Sequence, residues 1–253
     1  MRSVVGSIDL AQIVLYAFWI FFAGLIFYLR REDKREGYPL ESDRGSRVTV
    51  QGFPAIPTPK TFLMADGSTI QAPRHEVPHE VAIRPAAGFP GAPFEPTGNP
   101  MQDGVGPAAY AMRPDHAETV FGSHDPKIVP LRAAPAYSIA EEDPDPRGMT
   151  VIGLDGLAGG TVVDAWIDLS DVLLRFLEVE CEGGRRVLVP MTLARIDHRR
   201  DQVRLASVTA AQIAEAPTTA DPDRITMREE DRISAYFASG HLYATPARLG
   251  PWL

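Results

Sequence analysis

The chain has 253 residues, a formal net charge of −8 and a single cysteine, Cys181. The acidic balance argues against nucleic acid as a partner, because phosphate binding needs a basic face. One cysteine excludes an internal disulfide framework, as expected of a reducing compartment.

Twenty consecutive residues without a charge, Leu10 to Leu29 (LAQIVLYAFWIFFAGLIFYL), are followed at once by Arg30 and Arg31. As a helix the run spans about 30 Å, the thickness of a bilayer's hydrocarbon core. A cleaved signal peptide would have an apolar core of about 7 to 15 residues and a small-residue cleavage site. This run is longer and ends in LRREDKRE, so it reads as a retained transmembrane helix over 10–30. Arg30, Arg31, Lys34 and Arg35 crowd its C-terminal flank. The positive-inside rule then puts residues 1–9 in the periplasm and residues 31–253 in the cytoplasm. Trp19 lies at mid-span, away from the interfaces where tryptophan is enriched, and its indole N–H needs an acceptor. With Ala23 and Gly24 offering a close-approach patch on the next turn, the helix is expected to pack on a partner.

Of the 23 prolines, 18 fall between Pro39 and Pro146. That density forbids long helices and long central strands, because each proline removes a donor and restricts its neighbour. Residues 31–145 therefore read as an extended surface segment, ordered by contact with another protein rather than by a core of its own. A hairpin is predicted near 61–70, with Asp66-Gly67 at its turn. His75 and His79 share a four-residue spacing, but Pro73 and Pro78 oppose the helix that a metal pair there would need.

From Met149 the pattern changes to short strands. These are predicted at Thr150–Ile152, Thr161–Ile167, Phe176–Cys181, Arg185–Val189, Leu193–Ile196 and Gln202–Leu205, with Gly-rich or polar turns between them. Residues 146–217 thus form a small antiparallel barrel or strongly curled sheet. In the C-terminal segment, 218–253, a helix is predicted over Met227–Ala238, with acids toward its start and Ser239-Gly240 at its stop. The fold class is a single N-terminal transmembrane α-helix, a mainly β cytoplasmic domain and a short C-terminal helix.

No G-x-S-x-G, H-E-x-x-H, P-loop or G-x-G-x-x-G motif occurs. Cys181 falls at a predicted strand, where it reads as a small buried hydrophobe rather than a nucleophile. No catalytic residue and no cofactor-binding residue is assigned to the chain.

Several long segments carry a resemblance. They are YLRREDKREGYPLE from Tyr28, PKTF from Pro59, PTGNPMQDGVGPAAYA from Pro96, KIVPLRAA from Lys127, WIDLSD from Trp166, RFLEVE from Arg175 and EEDRISAYFASGHLYATP from Glu229. In content and order they resemble the H subunit of purple-bacterial photosynthetic reaction centres. The resemblance implies a PRC-type barrel capping two pigment-binding subunits, L and M, on their quinone side in the photosynthetic inner membrane. It implies a complex with bacteriochlorophyll, bacteriopheophytin, quinones, carotenoid and non-haem iron, none held by this chain alone. Antenna and cytochrome subunits and membrane lipids are further expected neighbours. Trp19, Gly24, Arg30, Arg31, Arg35, Tyr38, Glu230 and Asp231 are the expected partner-binding residues.

A quinone reduced twice inside a membrane protein needs two protons, because a buried, unneutralised anion costs several kcal/mol. Asp168 ends a predicted strand, Asp171 follows in the turn, and Arg175 is within reach as a counter-charge. Spacing by itself describes a solvated turn with a weak ion pair. The resemblance assigns these positions to the secondary quinone's proton path, although related subunits commonly have Glu where this chain has Asp171. His124 beside Asp125 is the expected proton entrance. Some related subunits have two histidines there, able to bind a divalent metal; one histidine and one carboxylate make a weak chelate. Two alternatives remain open: a membrane-tethered PRC-barrel adaptor for another cytoplasmic partner, and an enzyme with no local motif.

Overall fold

The computed structural model describes residues 10–41, 49–65, 67–74, 81–89 and 91–249. Residues 1–9, Asp66 and the His75/His79 pair lie outside the described residues. The chain divides into two units, one of residues 1–79 and 87–92, the other of residues 80–86 and 93–253.

In the first unit, α1 (Leu10–Glu32) contains the uncharged run and ends on Arg30 and Arg31. Its side chains are exposed throughout the apolar stretch, as a surface made for lipid or a partner requires. A 3-10 turn, Asp33–Arg35, ends the helix, and Gly37 (φ +71°) redirects the chain. Lys34 is buried, donating from Nζ to the Pro54 carbonyl at 2.6 Å and to that of Gln51, beneath the Tyr38 ring. Arg35 grips Glu32 with two nitrogens (2.7 and 3.0 Å) and donates to the carbonyls of Thr58 and Ala72. Two of the four flanking cations thus stitch the chain to itself, and Arg30 and Arg31 stay exposed. Two short hairpins complete this unit: β1 (Leu40–Glu41) with β2 (Thr49–Val50), and β3 (Lys60–Leu63) with β4 (Thr69–Ala72).

In the second unit, β5 (Ile83–Pro85) pairs with β6 (Phe94–Pro96), and a seven-stranded sheet forms the core. Its strands are β7 (Ile128–Pro130), β8 (Thr150–Ile152), β9 (Ala158–Asp168), β10 (Leu173–Glu180), β11 (Arg186–Pro190), β12 (Ala194–Asp197) and β13 (Gln202–Leu205). The order is β11-β10-β9-β8-β13-β12, with β7 also on β9. The eleven-residue β9 is long enough for β8 to pair with its first half and β7 with its second, along the edge opposite β10. All pairs are antiparallel except β8–β13, which is parallel. Cys181 lies one residue beyond β10, buried, and its burial pushes the thiol's pKa up.

Part of the proline-rich stretch packs into the core of the barrel and α3. Met101, Val105, Ala108, Ile128, Val129 and Leu131 are buried within this unit, in or beside short turns, 3-10 turns and the three-residue strand β7. Proline forbids long regular elements but suits such short ones.

α2 (Ala210–Glu215) and α3 (Met227–Tyr243) both start on a capping box, Thr209 with Gln212 and Thr226 with Glu229. The end predicted for α3 at Ser239-Gly240 is incorrect, because the helix runs on to Tyr243. Gly240 is there for packing rather than for a stop: a Cβ on it would lie 2.4 Å from the Ser207 carbonyl oxygen and 2.7 Å from Val208 Cγ1. Arg248 then ties the helix end to the sheet, donating to the carbonyls of Gly240 (2.7 Å), Ser207 (3.0 Å) and Ala206 (2.7 Å). In a free helix Gly→Ala stabilises by about 1 kcal/mol. Here Gly240→Ala is expected to destabilise by about 1–3 kcal/mol through overpacking. Thermal unfolding of the variant reads the sign directly, and a raised midpoint would mean that α3 does not press on the 207–208 backbone.

Candidate functional site

Of the five expected proton-path residues, Asp168 and Asp171 lie at the turn between β9 and β10 and Arg175 just beyond it in β10. Asp168 is the last residue of β9 and is 1% exposed. Its Oδ1 accepts from the backbone N–H groups of Ser170 (2.9 Å) and Asp171 (3.1 Å), closing an Asx-type turn. The Val172 N–H donates to the Asp168 carbonyl at 2.8 Å. Within this turn Val172 takes φ +53°, a left-handed conformation that a β-branched residue rarely adopts. Asp171, Val172 and Leu173 are exposed.

The cation on Asp168 is Lys127, whose Nζ lies 3.6 Å from Oδ2 and 3.7 Å from Glu118. β7 makes this contact: Ile128 pairs with Asp168, and the Leu169 N–H donates to the Lys127 carbonyl. The expected counter-charge, Arg175, instead binds Glu230 at 2.6 Å. The β9–β10 register shifts between Leu174 and Phe176, and the bulge turns Arg175 toward the first turn of α3. Its hydrogen bond to Glu230 holds the Arg175 guanidinium above the usual arginine range, with Asp168 and Asp171 adding to the effect. Arg113 binds Asp231 at 3.0 Å and lies 4.0 Å from Glu230. The turn and the head of α3 therefore form one field of mixed charge: Lys127, Asp168, Asp171, Arg175, Glu230, Arg113 and Asp231.

His124 and Asp125 are exposed on the loop that ends at Lys127. That loop is closed by Val120 N–H to Asp125 O (3.0 Å) and Lys127 N–H to Glu118 O (2.7 Å). The Asp125 carboxylate accepts from Ser123 Oγ at 2.7 Å. Of the partner-binding candidates in α1, Trp19 packs edge-on against Phe18 and Phe22 and keeps over half of its surface exposed. Gly24 has open space beside it. Arg30 and Arg31 are exposed; Arg35 and Tyr38 are partly buried in the junction described above.

A second charged group, on the same face of β9, carries no expectation from the sequence. Asp164 and Glu178 are buried and directly opposite each other on β9 and β10. Arg132, in the 3-10 turn after β7, binds both, at 3.0 Å to Asp164 and 2.5 Å to Glu178. Burial opposes the charge on Arg132, and its hydrogen bonds to Glu178 and Asp164 outweigh that and raise its pKa. Glu178 also accepts from Trp166 Nε1 (3.0 Å) and Arg186 (3.1 Å). The sequence signal was present: Asp164 shares the two-residue phase of the core residue Trp166, so an acid was bound to point inward.

Residues 2–133 match the family of the photosynthetic reaction centre H-chain N-terminal region, and residues 139–212 match the PRC-barrel domain. The first match alone covers more than half of the chain. This chain belongs to the photosynthetic reaction centre H-chain family. An H chain is a structural subunit of a membrane-bound reaction centre, partnered with the L and M subunits in a complex that holds pigments and quinones. The curled sheet is accordingly a PRC barrel, and α1 is the candidate span by which this H chain joins the membrane. The two matched regions are interlocked in the structure, because β7 of the first supplies a strand to the sheet of the second.

Proposed function

We propose that this H chain caps the quinone side of the L and M subunits and conducts cytoplasmic protons to the secondary quinone through the Asp168–Asp171 turn. The observation that carries the reading is a pair of carboxylates in one turn, one exposed and one buried, framed by cations. Asp171 meets solvent or partner, Asp168 is withdrawn behind it, and Lys127 supplies positive charge on the inner side. A proton exchanged between the buried and the exposed member of such a pair moves between a dry and a wet environment with Lys127 balancing the charge on Asp168. Exposed Val172 and Leu173 flank the acids, an apolar rim suited to docking on another subunit. His124 and Asp125 are the proposed surface entrance, on a loop that Lys127 joins to the turn. Arg30 and Arg31, on one end of the apolar helix, favour a cytoplasmic barrel and a periplasmic N-terminus. Trp19 and Ala23, four residues apart, give α1 a face for an L or M helix, with Gly24 allowing close approach beside it, and the paired acids Glu230 and Asp231 lie at the head of α3 beside the turn.

Removing this chain from the purified complex and adding it back tests the proposal. Flash-induced kinetics are expected to show a slowed second, proton-coupled quinone reduction without the chain and recovery on its return, with the first electron transfer as an internal control. An unchanged second reduction in the depleted complex would end the proposal.

A further inference from the structure

The β12–β13 hairpin has a concentration of positive charge that the acidic chain has no internal use for. Arg195 on β12 and Arg204 on β13 are direct cross-strand partners, and both are exposed. Facing residues of this kind have their Cβ atoms about 5 Å apart, and like charges there are destabilising. Arg199 and Arg200 follow in the turn. Against these four arginines stand Asp197, 3.8 Å from Arg200, and Asp201 in the same turn. Among the described residues, Arg195, Arg199 and Arg204 form no ion pair. β12 is the last strand of the sheet, so nothing in the sheet covers its outer edge.

These arginines line a half-open cleft of about 770 Å³, walled on its other side by Gly153 and Leu154. The wall is anchored: Leu154 N–H donates to the Val208 carbonyl at 2.7 Å. Asp155, the acid nearest that wall, is already engaged by the N–H groups of Leu157 and Ala210. The volume falls in the range of small-ligand sites, about 300–1,000 Å³.

We propose that this cleft is a binding site for a phosphate-bearing anion, gripped between Arg195 and Arg204. A carboxylate has two oxygens and one charge and satisfies a single guanidinium fork. A phosphate group presents three acceptors and a charge of about −1.5 to −2, enough for two forks at once. Binding relieves the repulsion of the cross-strand pair, so the free chain carries a strain that the ligand removes. The phosphate can belong to a soluble ligand or to a lipid headgroup that ends in a phosphomonoester, and the chemistry of the grip is then the same.

The test is calorimetric titration of pyrophosphate into the full chain in neutral detergent at low ionic strength, with Arg195→Gln and Arg204→Gln as variants. Wild type is expected to bind, more weakly as salt rises. Each variant should lose about tenfold to a hundredfold in affinity, as expected for one charge-assisted contact. The ligand-free variants should melt at or above the wild-type temperature, because the like-charge pair is gone. Loss of affinity without loss of stability separates a binding role from a merely structural one. A short-chain phosphatidic acid that competes with pyrophosphate identifies a headgroup site, and one that does not identifies a soluble ligand; both outcomes uphold the proposal. Absence of pyrophosphate binding, wild-type affinity in both variants, or tighter binding of an acidic peptide than of pyrophosphate would overturn it.

Discussion

Asp168→Asn combined with Asp171→Asn is expected to slow the second reduction of the secondary quinone by on the order of 10² to 10⁴, the usual loss when a proton-transfer group is removed. The first electron transfer should change far less, because it moves charge without direct protonation of the quinone. The geometry makes the substitution clean. Asparagine at 168 keeps an Oδ1 acceptor for the N–H groups of Ser170 and Asp171, so the turn that holds Val172 at φ +53° survives. Lys127 retains Glu118. What disappears is the ability to take up and release a proton at both positions. Parallel water paths would mask either single change, which makes the double variant the stronger measurement. Flash-induced kinetics from neutral to alkaline pH decide it: a second reduction with the wild-type rate and pH dependence would leave Asp168 as a turn-capping residue and Asp171 as a surface carboxylate.

Arg132→Ala should destabilise the barrel by about 3 kcal/mol, the lower end of the cost of stranding a buried charge, because the arginine is itself partly exposed. Asp164 and Glu178 face each other across β9 and β10, and Arg132 is the group that both of them contact. Glu178 would keep Arg186 and the Trp166 N–H. Asp164 would keep only backbone donors, the N–H groups of residue 132 and Ala165. Asp164→Asn should therefore recover part of the loss in the Arg132→Ala background, while having little benefit alone. Arg132→Lys retains the charge but not the fork that reaches Asp164, Glu178, Asp223 and the Pro222 carbonyl together, so it should fall between. Urea unfolding of the full chain in detergent, followed by far-UV circular dichroism, measures all four. A loss below about 0.5 kcal/mol for Arg132→Ala would mean that the pair is solvated and of surface type.

The two charged groups have one construction in common. Each is completed by a residue adjoining β7, Lys127 before it and Arg132 in the turn after it, and each faces acids on β9. This short strand, from the proline-rich part of the chain, neutralises the acids that the barrel buries. The β7 segment and the PRC barrel are for this reason one folding problem, and a barrel cut free at residue 139 would lose the salt bridges of Lys127 to Asp168 and of Arg132 to Asp164 and Glu178.

Local chemistry in the sequence determined the elements whose signals lie within a few residues. The uncharged run Leu10–Leu29 became α1, the β-branched run Thr150–Ile152 and the alternating run Gln202–Leu205 became β8 and β13 at the expected residues, and the acid-headed pattern from Met227 started α3 where predicted. It also set Asp168 and Asp171 in one turn with Arg175 close behind in β10, because three residues that close in sequence cannot be far apart. Choices between distant partners were decided only by the tertiary structure. Lys127 reaches Asp168 because β7 pairs with the far half of β9, and a bulge gives Arg175 to Glu230. Gly240 reads as a helix stop until the 207–208 backbone is seen pressing on it. Arg195 and Arg204 read as two solvated arginines until the β12–β13 register sets them side by side. Periodicity reports which way a side chain points relative to its own strand. What it meets there depends on sheet order and register, which are long-range properties set by burying one common core.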